Sequence, residues 1–498
     1  MRYLLMPLVA GMLLSTSTQA QRPAGPQTNN PLLNASFWQE KPGLDAVKAA
    51  VEKGANPAEF NGNAFDPVVM AINAGASNEA IVYLLEQKGN DINKITHDSR
   101  NYIHWSASRG NTVVMEYLLN KGAKVSNPDS HGSTPLLFAA GGQQDTKVYD
   151  LLLSKGANLK TELNHDGANA LLVAIGNDPE FKLTEYFVSK GLSLQSKDAA
   201  GNTAFDYAAR AGNIKNMQLL QSKGVKHTNN AMIFASQGGR RGANTLEVFQ
   251  YLESLGIKPT VTAKNGDNVL HALVRRPGQT EIIKYFLGKG VNVNQANEDG
   301  NTAFLNAAAS SRDTALIGLL KTSVKDINYA NKAGATALSL AVRSNAPEVV
   351  SYLLNQGASL KTTDAKGNNL VYYLFESYSP RNAKEFDAKL ALLKSKGLDI
   401  AAPQQDGSTL YHLAVAKNDL GLLQQVQTYG ADVNAKNKEG MTALHKAAMI
   451  AKDDAALKYL LSIGAKKDIG TSFNETAFQL AAENEYLTKQ NISVDFLK

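Results

Sequence analysis

Arginine is the residue type whose recurrence in this chain points most directly to binding chemistry. A guanidinium group can hold a carboxylate through two parallel hydrogen bonds, and arginine is enriched among the residues that dominate binding energy in protein interfaces. Seven arginines form the candidate partner-binding set. The alternative interpretation, that they are ordinary surface arginines of a basic protein, stays open. Most of them share one position, after the alanine pair of a recurring helix pattern, and two come from a glycine-rich insertion: Arg109, Arg210, Arg275, Arg276 and Arg343, with Arg240 and Arg241 from the insertion.

Three irregular segments interrupt the recurring pattern, and we expect them to mark the binding site. After Gly224 the next helix pattern follows too soon for a connection of the usual length, and the insertion Gly238–Gly242 comes next. Glycine costs backbone entropy, so this insertion indicates a role other than packing. Proline breaks the turn at Arg275–Gly278, and a longer spacing leaves extra residues around Tyr378, the alternative centre of the site. We expect the space left by the short connection to open beside the arginines and to receive an acidic surface of the partner.

The sequence motifs of common enzymes are absent. The chain contains no phosphate-binding glycine loop, no zinc-protease histidine pair, no esterase serine motif and no dinucleotide fingerprint. It has no cysteine, so thiolate nucleophiles and cysteine metal sites are excluded. His97, His131 and His165 lie in successive connections and could meet as metal ligands, although exposed polar residues are the simpler interpretation. We therefore expect a protein that is not an enzyme and holds no metal or cofactor.

Pairs of short helices must position these side chains. In the unit Gly440–Gly464, Thr442 can accept a hydrogen bond from a first-turn amide, and Leu444, Ala447 and Ala448 form one buried stripe. A second helix ends at the final glycine, which can adopt the left-handed conformation that a helix end requires. The sequence predicts an all-α repeat solenoid of such pairs. Thirteen second helices are indicated by a glycine, or once a serine, at their ends: Gly54, Gly89, Gly122, Gly156, Gly191, Gly224, Gly256, Gly290, Ser323, Gly357, Gly397, Gly430 and Gly464.

The first helix of the same unit carries a known motif. Thr442, Leu444, His445, Ala447 and Ala448 read T-x-L-H-x-A-A. With a period of about 33 residues, the chain resembles ankyrin-repeat proteins over about 465 of its 498 residues. The resemblance implies about 13–14 stacked helix–turn–helix units with β-hairpin fingers, and a concave groove that the candidate arginines face. It also implies that the histidines of the motif hydrogen-bond between neighbouring repeats, namely His104, His271, His412 and His445.

The start of the chain predicts export. Arg2, an apolar stretch and the small residues ending at Ala20 are typical of a secretory signal peptide over residues 1–20. Residues 21–31 are rich in proline, glutamine and asparagine and indicate an unstructured leader. The repeats then form an N-terminal array, 32–230, and a C-terminal array with its cap, 231–498. The absence of cysteine is consistent with an oxidising compartment. We expect the periplasm, with secretion to the exterior as the alternative.

The charge balance leaves several partner classes open. Fifty-one basic and 45 acidic residues give a net charge of +6, which permits an acidic partner without requiring one. No later stretch is long and apolar enough to span a membrane. We expect an exported, non-catalytic, monomeric scaffold that binds a partner protein through its groove and fingers and does not bind nucleic acid. Two other classes stay open: a binding module for an anionic cell-envelope polymer, and an enzyme with an unrecognised site.

Overall fold

A computed structural model describes residues 29–239 and 242–498. The predicted signal peptide, most of the predicted leader, and Arg240 and Arg241 lie outside the described residues. The chain divides into two compact units, Met1–Ala200 and Gly201–Lys498. The boundary expected at residue 230 falls inside the second unit. Each unit is taken by itself below.

The first unit consists of five helix pairs in its described residues. The first helices pack on one another from pair to pair, and the second helices form a parallel layer of contacts. Short 3₁₀ turns at Pro31–Leu33 and His97–Ser99 precede two of the first helices. The helices are α1 (Ala35–Gln39), α2 (Leu44–Glu52), α3 (Pro67–Ala74), α4 (Asn78–Leu85), α5 (Tyr102–Arg109), α6 (Thr112–Asn120), α7 (Pro135–Ala140), α8 (Thr146–Ser154), α9 (Ala170–Ile175) and α10 (Lys182–Ser189).

The second unit continues the same arrangement with nine pairs. Its 3₁₀ turns are Pro380–Asn382, Gln427–Tyr429 and Asp495–Leu497. Its helices are α11 (Ala204–Arg210), α12 (Ile214–Ser222), α13 (Asn230–Gln237), α14 (Leu246–Ser254), α15 (Val269–Leu273), α16 (Thr280–Gly288), α17 (Ala303–Ser310), α18 (Thr314–Lys321), α19 (Ala337–Ser344), α20 (Pro347–Asn355), α21 (Leu370–Glu376), α22 (Ala383–Ser395), α23 (Leu410–Val415), α24 (Leu420–Val426), α25 (Ala443–Ile450), α26 (Ala455–Ser462), α27 (Ala477–Ala482) and α28 (Glu485–Lys489).

These fourteen helix pairs among the described residues confirm the predicted all-α repeat solenoid and its number of repeats. The residues predicted to begin and end helices also do so in the structure. Thr442 caps α25, and the ring of His445 accepts the Thr442 amide at 3.0 Å, so two free groups of the helix start are satisfied together. All twelve glycines predicted to end second helices have positive φ. The last second helix ends instead at Asn491, with φ of 54°, since asparagine tolerates this conformation.

The fingers between the pairs contain less β pairing than the predicted β-hairpins. Among the described residues they contain isolated antiparallel bridges, such as Ala330 with Thr336, rather than ladders. Successive fingers are joined by single backbone hydrogen bonds, for example from Ala365 N to Ala333 O at 2.9 Å. Gly334 has φ of +78°, and a Cβ there would lie 2.5 Å from Ala365 N. Glycine at the finger turn therefore allows the next finger to pack directly against it.

The motif histidines link each repeat to the next finger, as the resemblance implied. In His412 the Nδ1 atom accepts the Thr409 amide at 3.1 Å, and Nε2 lies 3.0 Å from Met441 O in the following finger. His104, His271 and His445 make the equivalent contacts to Ser133 O, Asn301 O and Ile469 O. Burial lowers the pKa of His104 to about 4 and also lowers the pKa of His412. A neutral ring that donates through Nε2 satisfies both contacts.

The short connection after Gly224 uses a different residue for this link. Asp206 occupies the histidine position of α11, is fully buried, and accepts the Thr203 amide at 2.8 Å. Its other oxygen accepts the Thr228 amide at 2.9 Å. Thr203 Oγ1 donates to Lys226 O at 2.8 Å. The connection thus packs closely against the start of α11. Within residues 29–239 and 242–498, no helix has the length and apolar character needed to cross a membrane.

Candidate partner-binding site

The candidate arginines lie near the ends of first helices. Arg109 and Arg210 are the last residues of α5 and α11, and Arg343 is the penultimate residue of α19. All three are exposed. Cations are favoured in the last turn of a helix because they oppose its dipole. Helix electrostatics accounts for a basic residue at this position, whereas the contacts of each guanidinium decide whether it is available to a partner.

Two of the arginines meet at one residue in the second unit. A guanidinium nitrogen of Arg210 donates to the side-chain oxygen of Gln237, the last residue of α13, and the same guanidinium lies 5.0 Å from the ring centre of Phe234. Arg276 donates to the backbone oxygen of Gln237. We call Arg210, Gln237 and Arg276 the Gln237 cluster. Gln237 was not among the candidates, although its place just before the glycine-rich insertion is visible in the sequence.

The glycine-rich insertion follows this cluster directly. Gly238 has φ of +64°, and a Cβ there would lie 2.5 Å from Gly242 O, so only glycine fits without rearrangement. Gly239 and Gly242 exchange backbone hydrogen bonds of 3.2 Å. Asn244 donates to Arg210 O at 3.1 Å and to Ala235 O at 2.8 Å, which ties the loop to both first helices. Arg240 and Arg241 lie outside the described residues, so their part in the site stays a prediction.

The other arginines contact different neighbours. Arg275 is exposed and donates to the side-chain oxygen of Asn306 at 3.0 Å. The guanidinium of Arg343 lies 6.0 Å from the ring centre of Tyr373 in the next first helix. In the first unit, Arg109 donates to the side-chain oxygen of Asn73 at 3.1 Å. The structure therefore joins Arg210 with Arg276 at Gln237, while the remaining three each bind a separate residue.

None of these five arginines forms a salt bridge within the part of the chain that the structure describes. The acceptors of Arg109, Arg210, Arg275 and Arg276 are amide or backbone oxygens, which orient a guanidinium without neutralising its charge. Exposed guanidinium groups held in this way keep donors and a full positive charge for a carboxylate from another molecule.

Tyr378 is partly buried by the irregular segment that carries it. Its ring packs edge-on against Phe386 with 5.1 Å between centres. Burial, together with the hydrogen bond to Asp419, raises the pKa of Tyr378 to about 12. These contacts tie the residue to α22 and to the start of α24, so packing accounts for much of its role.

The short connection and the arginines beside which it was expected to open a space lie at opposite ends of α13. The connection enters α13 at Asn230, whereas the Gln237 cluster lies at the other end of that helix. Eight helical residues separate the two by about 12 Å. The arginine site itself stays a prediction, without a space contributed by this connection at the same end of α13.

The finger histidines do not form the metal site that was considered. The Nε2 atoms of His97 and His131 lie 3.4 Å and 3.5 Å from one oxygen of Asp98. Arg100 binds the same carboxylate oxygen at 3.0 Å, which places a positive charge where an ion would need to lie. Among the described residues no group of three or more histidine, aspartate or glutamate side chains is arranged to hold a metal ion.

Comparison with known proteins places the chain in a family. The family model for ankyrin repeats matches three times, over residues 68–162, 270–364 and 411–493, and the matches together cover more than half of the chain. The chain therefore belongs to the ankyrin-repeat family. Ankyrin repeats indicate a scaffold for protein–protein interaction, and the family is generally non-catalytic.

Several curated proteins share the repeats. Phosphocholine transferase AnkX of Legionella pneumophila is 30% identical over 174 residues, 33% of this chain and 18% of the transferase. SH3 and multiple ankyrin repeat domains protein 2 of Homo sapiens is 28% identical over 216 residues, 43% of this chain and 11% of that protein. Neurogenic locus notch homolog protein 1 of Homo sapiens is 32% identical over 154 residues, 31% of this chain and 6% of that protein. The chain spans less than a fifth of each relative.

Proposed function

We propose that the chain is an exported, non-catalytic, monomeric scaffold that binds an acidic surface of a partner protein through the arginine-bearing ends of its first helices. The observation that carries this proposal is the Gln237 cluster. Two guanidinium groups converge there on one glutamine, with no carboxylate to neutralise them among the described residues. Arg275 extends the positive surface from the residue next to Arg276.

Export rests on the sequence of residues 1–20, which lies outside the described residues. The pattern of Arg2, an apolar stretch and small residues up to Ala20 is that of a cleaved signal peptide. The mature protein would begin at Gln21 and act in the periplasm or outside the cell. Mass spectrometry of the N-terminus in the exported fraction tests this, and a protein that retains Met1 and stays in the cytosol contradicts it.

The buried histidine contacts support a non-catalytic role. Thr442 Oγ1 lies 2.8 Å from His445 Nδ1, a separation that would suit a hydroxyl nucleophile and its base. The pair is buried at a helix start, however, and the other ring nitrogen lies 2.8 Å from Ile469 O. Both nitrogens are thus used within the fold. The transferase among the relatives matches over 18% of its length, so its activity is not carried over to this chain.

Affinity capture from a cell-envelope extract, followed by charge reversal, tests the binding site. The double variant Arg210→Glu with Arg275→Glu reverses two exposed charges while leaving the core unchanged. We expect partner binding to weaken about tenfold or more, which corresponds to about 1.4 kcal/mol. Thermal unfolding should shift little because both side chains are exposed. The variant Arg240→Glu with Arg241→Glu tests the insertion in the same way.

The matched control reverses two exposed lysines of second helices, Lys215→Glu with Lys284→Glu, which changes the net charge by the same amount. If the control weakens binding as much as the arginine variants, the attraction is non-specific. Binding that depends steeply on salt and shows little preference among proteins would support the anionic-polymer alternative instead. Full affinity in both arginine variants would place the protein interface elsewhere.

A further inference from the structure

A basic cleft lies in the second unit between the ends of α17 and α19 and the start of α22. It has a volume of about 630 Å³. Five basic side chains and one acidic side chain line it, and we call these residues the basic cleft: Arg312, Arg343, Arg381, Lys384, Glu385 and Lys389. The size is that of a pocket for a small ligand, and the excess of positive charge indicates the sign of that ligand.

Lys389 is the unusual residue of this cleft. It is 2% exposed, and its Nζ donates to Val342 O at 2.8 Å. Within the described residues no carboxylate oxygen lies within salt-bridge distance of this nitrogen. An ammonium group has three donors and a full charge, and burying it without an anionic partner is costly. Burial accordingly lowers the pKa of Lys389.

The contact with Val342 explains part of this arrangement. Val342 lies in the last turn of α19, where carbonyl groups lack partners within the helix and a cation is favoured by the dipole. A lysine that served only this cap would need one donor. Two donors would then stay buried beside a cleft in which four other charged side chains are basic and one, Glu385, is acidic.

The remaining charges of the cleft are poorly balanced. Glu385 binds Arg312 at 3.1 Å, but these side chains are 40% and 70% exposed, so the pair contributes little stabilisation. Among the described residues, neither Arg343 nor Arg381 forms a salt bridge. No side chain caps the first turn of α22, which lines the cleft through Ala383 and Lys384. Guanidinium, ammonium and helix-start amide donors are the groups that proteins use to hold carboxylates and phosphates.

The irregular spacing of this repeat builds the cleft. The extra residues form the turn Pro380–Asn382, in which the Asn382 side chain accepts the Ser379 amide at 2.6 Å, and they place Arg381 at the rim. They also precede α22, which has 13 residues. On its inner face Lys389 follows Phe386 by one turn among apolar neighbours. A lysine inside an apolar helical stripe is the sequence signal that could have identified it.

We propose that the basic cleft binds a small oxyanion carrying two or more negative charges, either carboxylate or phosphate groups, with Lys389 at its base and Arg343 and Arg381 at its rim. The bound anion supplies a counter-charge in direct contact with the buried ammonium, whereas the nearby Glu385 is paired with Arg312. This binding needs no partner protein, because the ligand fits within the cleft, although Arg343 also belongs to the candidate partner-binding set.

Isothermal titration calorimetry of the full chain tests the proposal without any partner protein. Citrate and tripolyphosphate serve as carboxylate and phosphate probes, titrated at constant ionic strength set with sodium chloride. We expect saturable binding at one site for at least one probe, and the preferred probe identifies the anionic group. The variant Lys389→Met keeps the length and apolar packing of the side chain but removes its charge. It should lower the affinity about tenfold or more, as expected for a hydrogen bond between charged groups.

Arg381→Gln and Arg343→Gln should each weaken binding several-fold, because each removes one charged donor. Lys452→Gln is the matched control, since it removes an exposed cation that follows a first helix, α25, and lies outside the cleft; its affinity should equal that of the unchanged protein. If Lys389→Met does not fold, judged by circular dichroism, the two exposed arginine variants decide the question. Three results overturn the proposal: no saturable binding of either probe, unchanged affinity in the cleft variants, or an equal loss in Lys452→Gln.

Discussion

His412 and Asp206 each link the start of a first helix to the connection that follows its repeat. The two junctions use opposite hydrogen-bond chemistry at that connection. At the regular junction, the buried ring of His412 receives the Thr409 amide and donates to Met441 O in the next finger. At the short junction no full finger follows, and the buried carboxylate of Asp206 receives two amides, from Thr203 and Thr228. A finger offers a carbonyl, so the first helix supplies a donor, whereas the short connection offers an N–H, so the helix supplies an acceptor.

At these two junctions the residue at the motif position matches the backbone group opposite it. Both side chains satisfy the helix start in the same way, by accepting the cap amide. Only the second contact differs. A substitution at this position therefore disturbs packing between repeats more than it disturbs the helix itself, because the helix-start bond can be made by either residue.

The largest effect is expected from placing the carboxylate at the regular junction. His412→Asp would bury a negative charge opposite Met441 O and remove the donor that links the two repeats. We expect a loss of about 2–4 kcal/mol in unfolding free energy, because a buried charge would lack a partner on that side. Urea unfolding measures it. A loss below about 0.5 kcal/mol would mean that the inter-repeat contact contributes little.

Acidification should separate the two kinds of junction. The pKa of His104 is lowered from 6.5 to about 4 by burial. Below pH 6.5 His104 becomes protonated in the unfolded chain but stays neutral in the folded chain. The free energy of unfolding therefore falls as the pH drops towards 4. The full effect at this one site is about 3 kcal/mol. Burial raises the pKa of Asp206, so the folded state gains its proton first and acid does not weaken that junction.

Native-state hydrogen exchange checks this contrast between pH 7 and pH 5, after correction for intrinsic exchange rates. Amides around α5 should lose protection on acidification, while those of α11 should not. The variant His104→Gln should flatten the dependence around α5. Equal loss of protection at both junctions would contradict the assignment of the effect to the buried histidine.

A smaller effect is expected when the family motif is restored at the short junction. Asp206→His restores the histidine of the motif, next to Phe205 in place of the motif leucine, yet it removes the acceptor of the Thr228 amide. We expect a loss of about 1–3 kcal/mol, the cost of one buried amide without a partner. The control is Lys215→Gln, an exposed change near the start of α12 in the same repeat that should leave stability nearly unchanged. A stabilised Asp206→His variant would show that the motif is favoured regardless of the finger.

Most of the fold could be predicted because local signals repeat. Threonine or asparagine begins most first helices, and glycine with positive φ ends most second helices, so each pair is encoded within its own residues. The described residues contain fourteen pairs where twelve glycines and Ser323 indicated thirteen, since the last pair ends at Asn491. The fingers contain single bridges instead of hairpins because each finger is stabilised by the next finger along the stack.

The sequence by itself determined the family, the helix pairs and the register of the repeats, because caps, glycines and apolar stripes act over a few residues. Only the tertiary structure decided which charged groups meet. It joined Arg210 and Arg276 at Gln237 and placed the short connection at the opposite end of α13. It also buried Lys389 beside the carbonyl of Val342, 47 residues away. Such contacts depend on how neighbouring repeats stack, and no local pattern specifies them.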